Sequence, residues 1–300
     1  MIPLTKAVID IGSNSVRLVI YQQNSNNELS IIHEEKSKVR LGEGAYLAHG
    51  YLQPTAIKRA YETLNNFSNT IKKYPISQTL SIATSALRDA PNKLEFIELI
   101  KKQLNINIKV IDGHQEAKYG AIAVVNLLSI NSGITIDIGG GSSDLALIKD
   151  RKIVDTFTLN LGTVRLKELF SNSKNCLKET QEYIDKALYT LPKHFKEDYA
   201  IGIGGTARTL SKAIIKFQNQ EDKTLHGFRY NVESYEEFFT KIIKSNRDLH
   251  TELYISNNRL DTIKEGTLIW KSILKKIEAQ QVISSAVGVR EGVYLESMTH

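Results

Sequence analysis

Cysteine is almost absent from this chain. A single thiol, Cys176, stands in 300 residues, so no intramolecular disulfide can form and a reducing, cytoplasmic setting is the simplest expectation. Long hydrophobic runs are missing as well. Lys6 and Arg17 interrupt the first apolar stretch, and no run of about twenty apolar residues follows, which argues against an export signal and against a membrane span. There is no zinc-finger spacing, no basic tail and no aromatic RNA-binding signature, so nucleic acid is not an expected partner. No low-complexity linker divides the chain.

What is present is the composition of an ordinary globular protein, 41% hydrophobic and 24% charged, long enough for two modest domains. The formal charge of +6 favours anionic partners without naming one. The lysine pairs Lys72-Lys73, Lys101-Lys102 and Lys275-Lys276 read first as solvated helix faces.

One acidic turn occurs twice. "IDIGSNSVRLVI" begins at Ile9 and "IDIGGGSSDLAL" at Ile136, so that Asp10 matches Asp137, Gly12 matches Gly139 and Ser15 matches Ser142. Further on, "IATSA" (82–86) matches "IGGTA" (203–207). The periodicity around these turns also repeats. Strands are expected at 6–12, 16–23 and 29–41, with a hairpin turn at 24–27, then a helix over 55–73, a strand at 79–84, a helix over 92–104, a strand at 108–112 and a helix from about His114. The second half replays the order. Strands fall at 133–139, 144–148 and 152–159, and helices near 162–170 and 177–191. A strand at 199–204 leads into a helix through Phe217. Helices over 233–245 and 258–277, a strand at 282–286 and a helix from about Arg290 complete the chain. Three strands followed by alternating helices and strands, twice over, predict two mixed sheets flanked by helices. The expected domains are 1–126 and 127–300, with a tight hinge near 126–133 and a cleft between two acidic turns.

Each turn suits an anion. Small residues let the backbone approach a ligand, and successive N–H groups pointing into one concavity form a nest. Ser13, Asn14 and Ser15 in one turn, and Gly139, Gly140, Gly141, Ser142 and Ser143 in the other, fit a phosphate group. An aspartate beside a phosphate is repulsive unless a cation lies between them, which assigns Asp10 and Asp137 to Mg²⁺. Glu116 sits in the first turn of a helix, where it either caps the helix or faces the cleft as a base. Asp144 is a further acid that could share the metal or hold water. Gly205 and Thr206 open another helix, whose N-terminus can bind phosphate. Arg88 offers a bidentate phosphate contact.

Together "IDIGSNSVRL", "VRLGEG", "ATSALRDAPN", "IDGHQEA", "IDIGGGSSDL", "GIGGTARTL", "HGFRY", "NRLDTIKEG" and "GVREGVYLE" resemble, essentially end to end, the bacterial exopolyphosphatase/guanosine pentaphosphate phosphohydrolase family in a short two-domain form. The resemblance implies the duplicated, ribonuclease-H-like domains of the actin and chaperone-ATPase superfamily. It also implies Mg²⁺-dependent release of terminal phosphate from inorganic polyphosphate or of the 5′ γ-phosphate of pppGpp. Glu116 becomes the proposed base and Asp137 and Asp144 the acids of the site. Relatives commonly carry glutamate where this chain has Asp144, and Gln115 replaces the first glutamate of their paired acids. Many also have a helical C-terminal extension, and its absence predicts a preference for short polyphosphates. A homodimer is expected. A kinase of the same superfamily and a non-catalytic alarmone or polyphosphate sensor are the rival readings, disfavoured by the family match and by Glu116, Asp137 and Asp144 respectively.

Overall fold

The protein is described here by a computed structural model covering residues 4–24, 29–245 and 247–298. Apart from Asn24, the expected hairpin turn lies outside the described residues. The chain divides into two compact units, one formed by residues 1–112 together with 293–300, the other by 113–292. The division therefore falls at Asp112/Gly113 and not at the expected 126/127, because the helix that follows Asp112 packs on the second sheet.

In the first unit, strands β1 (Leu4–Ile11), β2 (Val16–Gln23) and β3 (Leu29–Ser37) form an antiparallel meander. They are followed by α1 (Pro54–Ile71), β4 (Gln78–Ala83), α2 (Ser85–Asp89), α3 (Lys93–Leu104) and β5 (Ile108–Val110), giving the sheet order β3-β2-β1-β4-β5. Strands β4 and β5 run parallel to β1. β1 is central and covered on both faces: Ala7, Val8 and Ile9 are fully buried, as expected of an apolar run without alternation. Pro54 opens α1, whose missing N–H costs nothing there. The helix buries Ala56, Ala60, Leu64 and Phe67, and Ile57 and Tyr61 flank that stripe.

The second unit repeats the plan. It contains α4 (Gly113–Leu127), β6 (Gly133–Ile138), β7 (Ser143–Lys149), β8 (Lys152–Leu159), α5 (Thr163–Phe170), α6 (Cys176–Tyr189), β9 (Tyr199–Ile203) and α7 (Gly204–Phe217). After these come β10 (Arg229–Asn231), α8 (Glu236–Lys244), α9 (Arg247–Glu252), α10 (Ile263–Lys276), β11 (Gln281–Ser284) and α11 (Val289–Glu296). Its order, β10-β11-β9-β6-β7-β8, is that of the first sheet with one strand added at an edge. The expected mixed sheets flanked by helices are therefore what the chain forms. The expected helix over 258–277 begins at Ile263, behind a 3₁₀ turn at Asn257–Arg259, and α2, α9 and β10 were not anticipated.

Alternation sorts the second sheet into two faces. Ile134, Ile136, Leu145, Leu147 and Leu159 belong to a core that includes Leu210 and Ile214 of α7 and Trp270 and Ile273 of α10. Ala146, Ile148, Ile201, Ile203 and Ile283 face the other way and meet Ala117, Ala121 and Val124 of α4. The last helix starts in the second unit and ends in the first. There Tyr294 packs on Tyr21 with ring centroids 5.2 Å apart, and Lys6 Nζ donates to Ser297 O (2.9 Å) and Oγ (3.0 Å). Burial lowers the pKa of Lys6. Among the described residues no helix is long and apolar enough to cross a membrane.

Candidate active site

The second acidic turn is built on ladder register. Asp137 on β6 stands directly opposite Asp144 on β7, and Asp144 directly opposite Thr158 on β8. Opposed residues share a face, so two carboxylates and a hydroxyl lie in one row on the face that α4 covers. Asp144 is buried, at 2% exposure. Its Oδ1 accepts a hydrogen bond from Thr158 Oγ1 (2.5 Å) and its Oδ2 one from Ser142 Oγ (3.0 Å). Each oxygen of the Asp144 side chain thus has a hydroxyl donor.

Helix α4 begins on top of this row. A Cβ on Gly113 would lie 2.5 Å from Thr158 Cβ, so only glycine lets the helix start here. His114 Nδ1 pairs with Thr156 Oγ1 at 3.0 Å. Glu116 is half-buried in the first helical turn and lies on the same stripe as Gly113 and Gly120, the stripe that faces the sheet. Both expectations for Glu116 meet at this position: it is at a helix N-terminus, and it is at the end of the sheet where Asp137 and Asp144 stand.

The glycine turn itself is braced from behind. Thr163 N–H donates to Gly139 O (3.0 Å), Val164 and Arg165 N–H to Gly140 O (2.8 and 3.0 Å), and Arg165 Nε to Gly141 O (2.8 Å). The carbonyls of 139–141 thus point at the N-terminus of α5. In a trans peptide the next N–H points the opposite way, so the amides of Gly140, Gly141 and Ser142 are directed away from α5. The serine side chains are used elsewhere. Ser142 bonds Asp144, and Ser143 Oγ donates to Leu161 O at 2.6 Å. Thr206, nearly fully buried, donates through Oγ1 to Ile138 O at 3.4 Å. An anion at this turn would meet backbone N–H groups, not the hydroxyls that the sequence pattern offered.

Two more helices start nearby. Gly204, at φ +72°, lies so close to Asp137 that a Cβ there would sit 2.7 Å from its Cγ. The carboxylate therefore rests at the N-terminal, positive end of α7. A side chain on Gly205 would overlap the guanidinium of Arg259. Gly266 in the first turn of α10 approaches Thr206 and Thr163, with a Cβ position 2.8 Å from Thr206 Cγ2 and 3.3 Å from Thr163 Cγ2. Burial raises the pKa of Glu265, with Asp261 acting in the same direction and Lys167 and Lys264 opposing it.

In the first unit the corresponding turn keeps the backbone geometry and changes the charges. Gly12 N–H donates to Ser15 O (3.1 Å), as Gly139 N–H does to Ser142 O (2.9 Å). Ser13 O and Asn14 O accept from Gly42 and Arg40, both at 2.9 Å, which again turns the following amides the other way. Ser13 is buried and shares a 2.8 Å hydrogen bond with Ser85. Asp10 stands opposite Arg17 in the ladder, a cation where the second unit has Asp144. Arg88 on α2 donates to Ile111 O at 3.3 Å and lies 3.8 Å from Asp89 Oδ1.

Among the described residues no group of three or more His, Cys, Asp or Glu gathers as a metal cage. One or two carboxylates completed by waters and phosphate oxygens is the donor set Mg²⁺ takes in phosphoryl-transfer sites, and Asp137 fits that mode.

Pattern reading missed Thr158, Arg165 and Arg259. Arg259 lies within the quoted "NRLDTIKEG", but nothing in spacing shows that it reaches Gly205. Thr158 has no motif, and only the register reveals it.

A two-domain α/β protein with duplicated acidic glycine turns defines a recognised class, and comparison supplies the family. The model of the Ppx/GppA phosphatase family matches residues 19–300, and the chain belongs to that family of hydrolases acting on phosphoric anhydrides. A bifunctional 3-dehydroquinate synthase/phosphatase of Fusobacterium nucleatum is 29% identical over 98% of this chain, which spans 46% of that protein. Exopolyphosphatase 2 of Mycobacterium tuberculosis is 25% identical over 96% of this chain and 97% of its own length. The crystal structure of an Aquifex aeolicus Ppx/GppA family member superposes with a TM-score of 0.80 at 28% identity, covering 99% of this chain and 98% of that one. An exopolyphosphatase from Cytophaga hutchinsonii shares the fold with a TM-score of 0.90 at 24% identity, covering 98% of each chain.

Proposed function

We propose that the protein is an exopolyphosphatase that releases the terminal phosphate of inorganic polyphosphate, for which short chains suffice because kcat/KM gains little beyond the length that fills the binding surface. The observation that carries this reading is the set of three backbone amides at Gly140, Gly141 and Ser142, held outward by α5 beside the Asp137–Asp144 pair. A terminal phosphoryl group has the oxygens to accept those N–H bonds. Ser13, Asn14, Ser15 and Arg88 of the first unit, and Gly139, Ser143, Gly205 and Thr206 of the second, frame the phosphate-binding turns. Arg259, over Gly205, adds a guanidinium to the second set.

Glu116 orients and deprotonates the attacking water from the first turn of α4. Asp144 supports it indirectly, holding Thr158 and Ser142 and so fixing the floor under α4 and the glycine turn. When bound, Mg²⁺ would offset negative charge on the phosphate oxygens, with Asp137 among its ligands and Asp10 its counterpart in the first unit. Phosphoryl transfer demands mainly positioning and charge stabilisation, which is what these residues supply.

Hydrolysis of pppGpp is the second reading, because amides that grip a phosphate chain do not distinguish the two substrates. The discriminating experiment measures kcat/KM on short polyphosphate and on pppGpp in parallel. A higher value on polyphosphate is expected. A value at least tenfold higher on pppGpp would transfer the assignment, and release of phosphate from neither would reduce the protein to a binding module.

A further inference from the structure

Lys275 and Lys276, at the end of α10, are exposed as the sequence pattern predicts, and the structure also sets them beside a groove. Between α6 and α10 lies a groove of about 1020 Å³ with an apolar floor that includes Leu188, Phe195 and Leu268. Five lysines line it. Lys196 pairs with Glu278 (2.5 Å) and Lys271 with Glu236 (2.8 Å), while Lys193, Lys275 and Lys276 have no acidic partner among the described residues. The groove's other acid, Asp185, accepts from Gln181 at 2.8 Å.

The groove is not isolated from the candidate active site. α10 begins there, with Gly266 against Thr206 and Thr163. Positions 264, 268, 271 and 275 form one helical stripe, so Lys264, Lys271 and Lys275 trace a line of positive charge along the helix. At 1.5 Å per residue this line extends roughly 16 Å from Lys264 to Lys275. In the groove five lysines outnumber Asp185 and Glu278, and a net positive charge over a low-dielectric floor attracts a mobile polyanion.

We infer that the α6–α10 groove is a remote binding site for the distal phosphates of a polyphosphate chain whose terminal phosphate occupies the glycine turn. This rests on the polyphosphate reading above. The groove engages only chains long enough to run the length of α10. Affinity therefore rises with chain length up to that span and is flat beyond it. Each exposed lysine–phosphate contact is worth about a two- to threefold effect, and the effect weakens as salt is added.

The test compares the full-length protein with the triple variant Lys193→Ala/Lys275→Ala/Lys276→Ala, using tripolyphosphate and long-chain polyphosphate as probes. The expected result is a fall of about tenfold in the ratio of kcat/KM for the long chain to that for tripolyphosphate, shrinking toward none at high salt. A ratio unchanged within about twofold in a variant that melts like the parent would overturn the proposal, since the lysines would then serve only the helix ends. Equal losses on both probes would also overturn it. Direct binding of long-chain polyphosphate to the parent and the triple variant is measured separately. If the parent hydrolyses neither probe, the activity reading fails, and the groove stands or falls on whether the triple substitution weakens that binding. Tighter lysine-dependent binding of an acidic amphipathic helical peptide than of polyphosphate would assign the groove to a protein partner and overturn the proposal.

Discussion

Replacing Thr158 by valine isolates one hydrogen bond on which the site is built. Valine keeps the branched shape and the strand preference, so no cavity opens. What disappears is the O–H that Thr158 gives to Asp144 Oδ1 at 2.5 Å, inside a site where Asp144 is 2% exposed. A hydrogen bond to a charged group contributes about 1.5–3 kcal/mol, and here water cannot take its place. The expected loss is therefore about 2 kcal/mol from the second unit. For a unit of about 180 residues this lowers its melting transition by roughly 4–8 °C. Calorimetry of parent and variant at neutral pH measures it. Because Gly113 rests on residue 158, turnover should fall along with stability while KM changes little. A melting point within about 1 °C of the parent would show that the carboxylate draws nothing from Thr158, and the positioning role given to Asp144 would go with it.

Glu116→Gln should retain the fold and substrate binding yet lose on the order of 10²-fold in turnover, and near-normal turnover in a folded variant would remove Glu116 as the base. Chelation should abolish activity and Mg²⁺ restore it, whereas full activity in metal-free buffer would remove the metal from the mechanism. His250 is buried, donates Nε2–H to Ile242 O at 2.8 Å, and has its pKa lowered by burial. The folded state then holds it neutral while the unfolded chain takes up a proton near pH 6.5, so stability should drop as pH falls through and below that value. Urea unfolding at neutral and acid pH should show a smaller drop for His250→Gln, and identical pH dependence would refute the assignment.

Much of the architecture was legible because two kinds of signal are local. Short β-branched apolar runs that end at an acidic glycine turn, such as "AVIDIG" and "ITIDIG", read as buried strands, and the repeat of acid, glycine and serine matched the two halves. The domain boundary was not legible, because α4 carries the same apolar pattern whichever sheet it covers, and its allegiance is settled by Ala117, Ala121 and Val124 meeting Ile201 and Ile203. α2 and β10 are too short for periodicity to register. At the site, residue types suggested hydroxyl donors for phosphate. The folded chain spends those hydroxyls on Asp144, Leu161, Ser85 and Ile138, and aims backbone amides outward instead. Which atoms of a serine face a ligand depends on turn geometry that no spacing encodes.

The return of the last helix to β1 and β2 sets an order of events during synthesis. Residues 113–292 form an uninterrupted unit that can close as soon as it has left the ribosome. The first unit is emitted earlier but is finished later, since Tyr21 meets Tyr294 and Lys6 meets Ser297 only once the final turns emerge. At about 5–20 residues per second, the intervening stretch takes roughly 9–36 s to make. For that interval β1 and β2 must wait with part of their apolar surface uncovered and the Lys6 amine without its carbonyl. The first unit thus carries uncovered apolar surface for longer than the second, and a ribosome stalled within residues 113–292 would leave it unfinished.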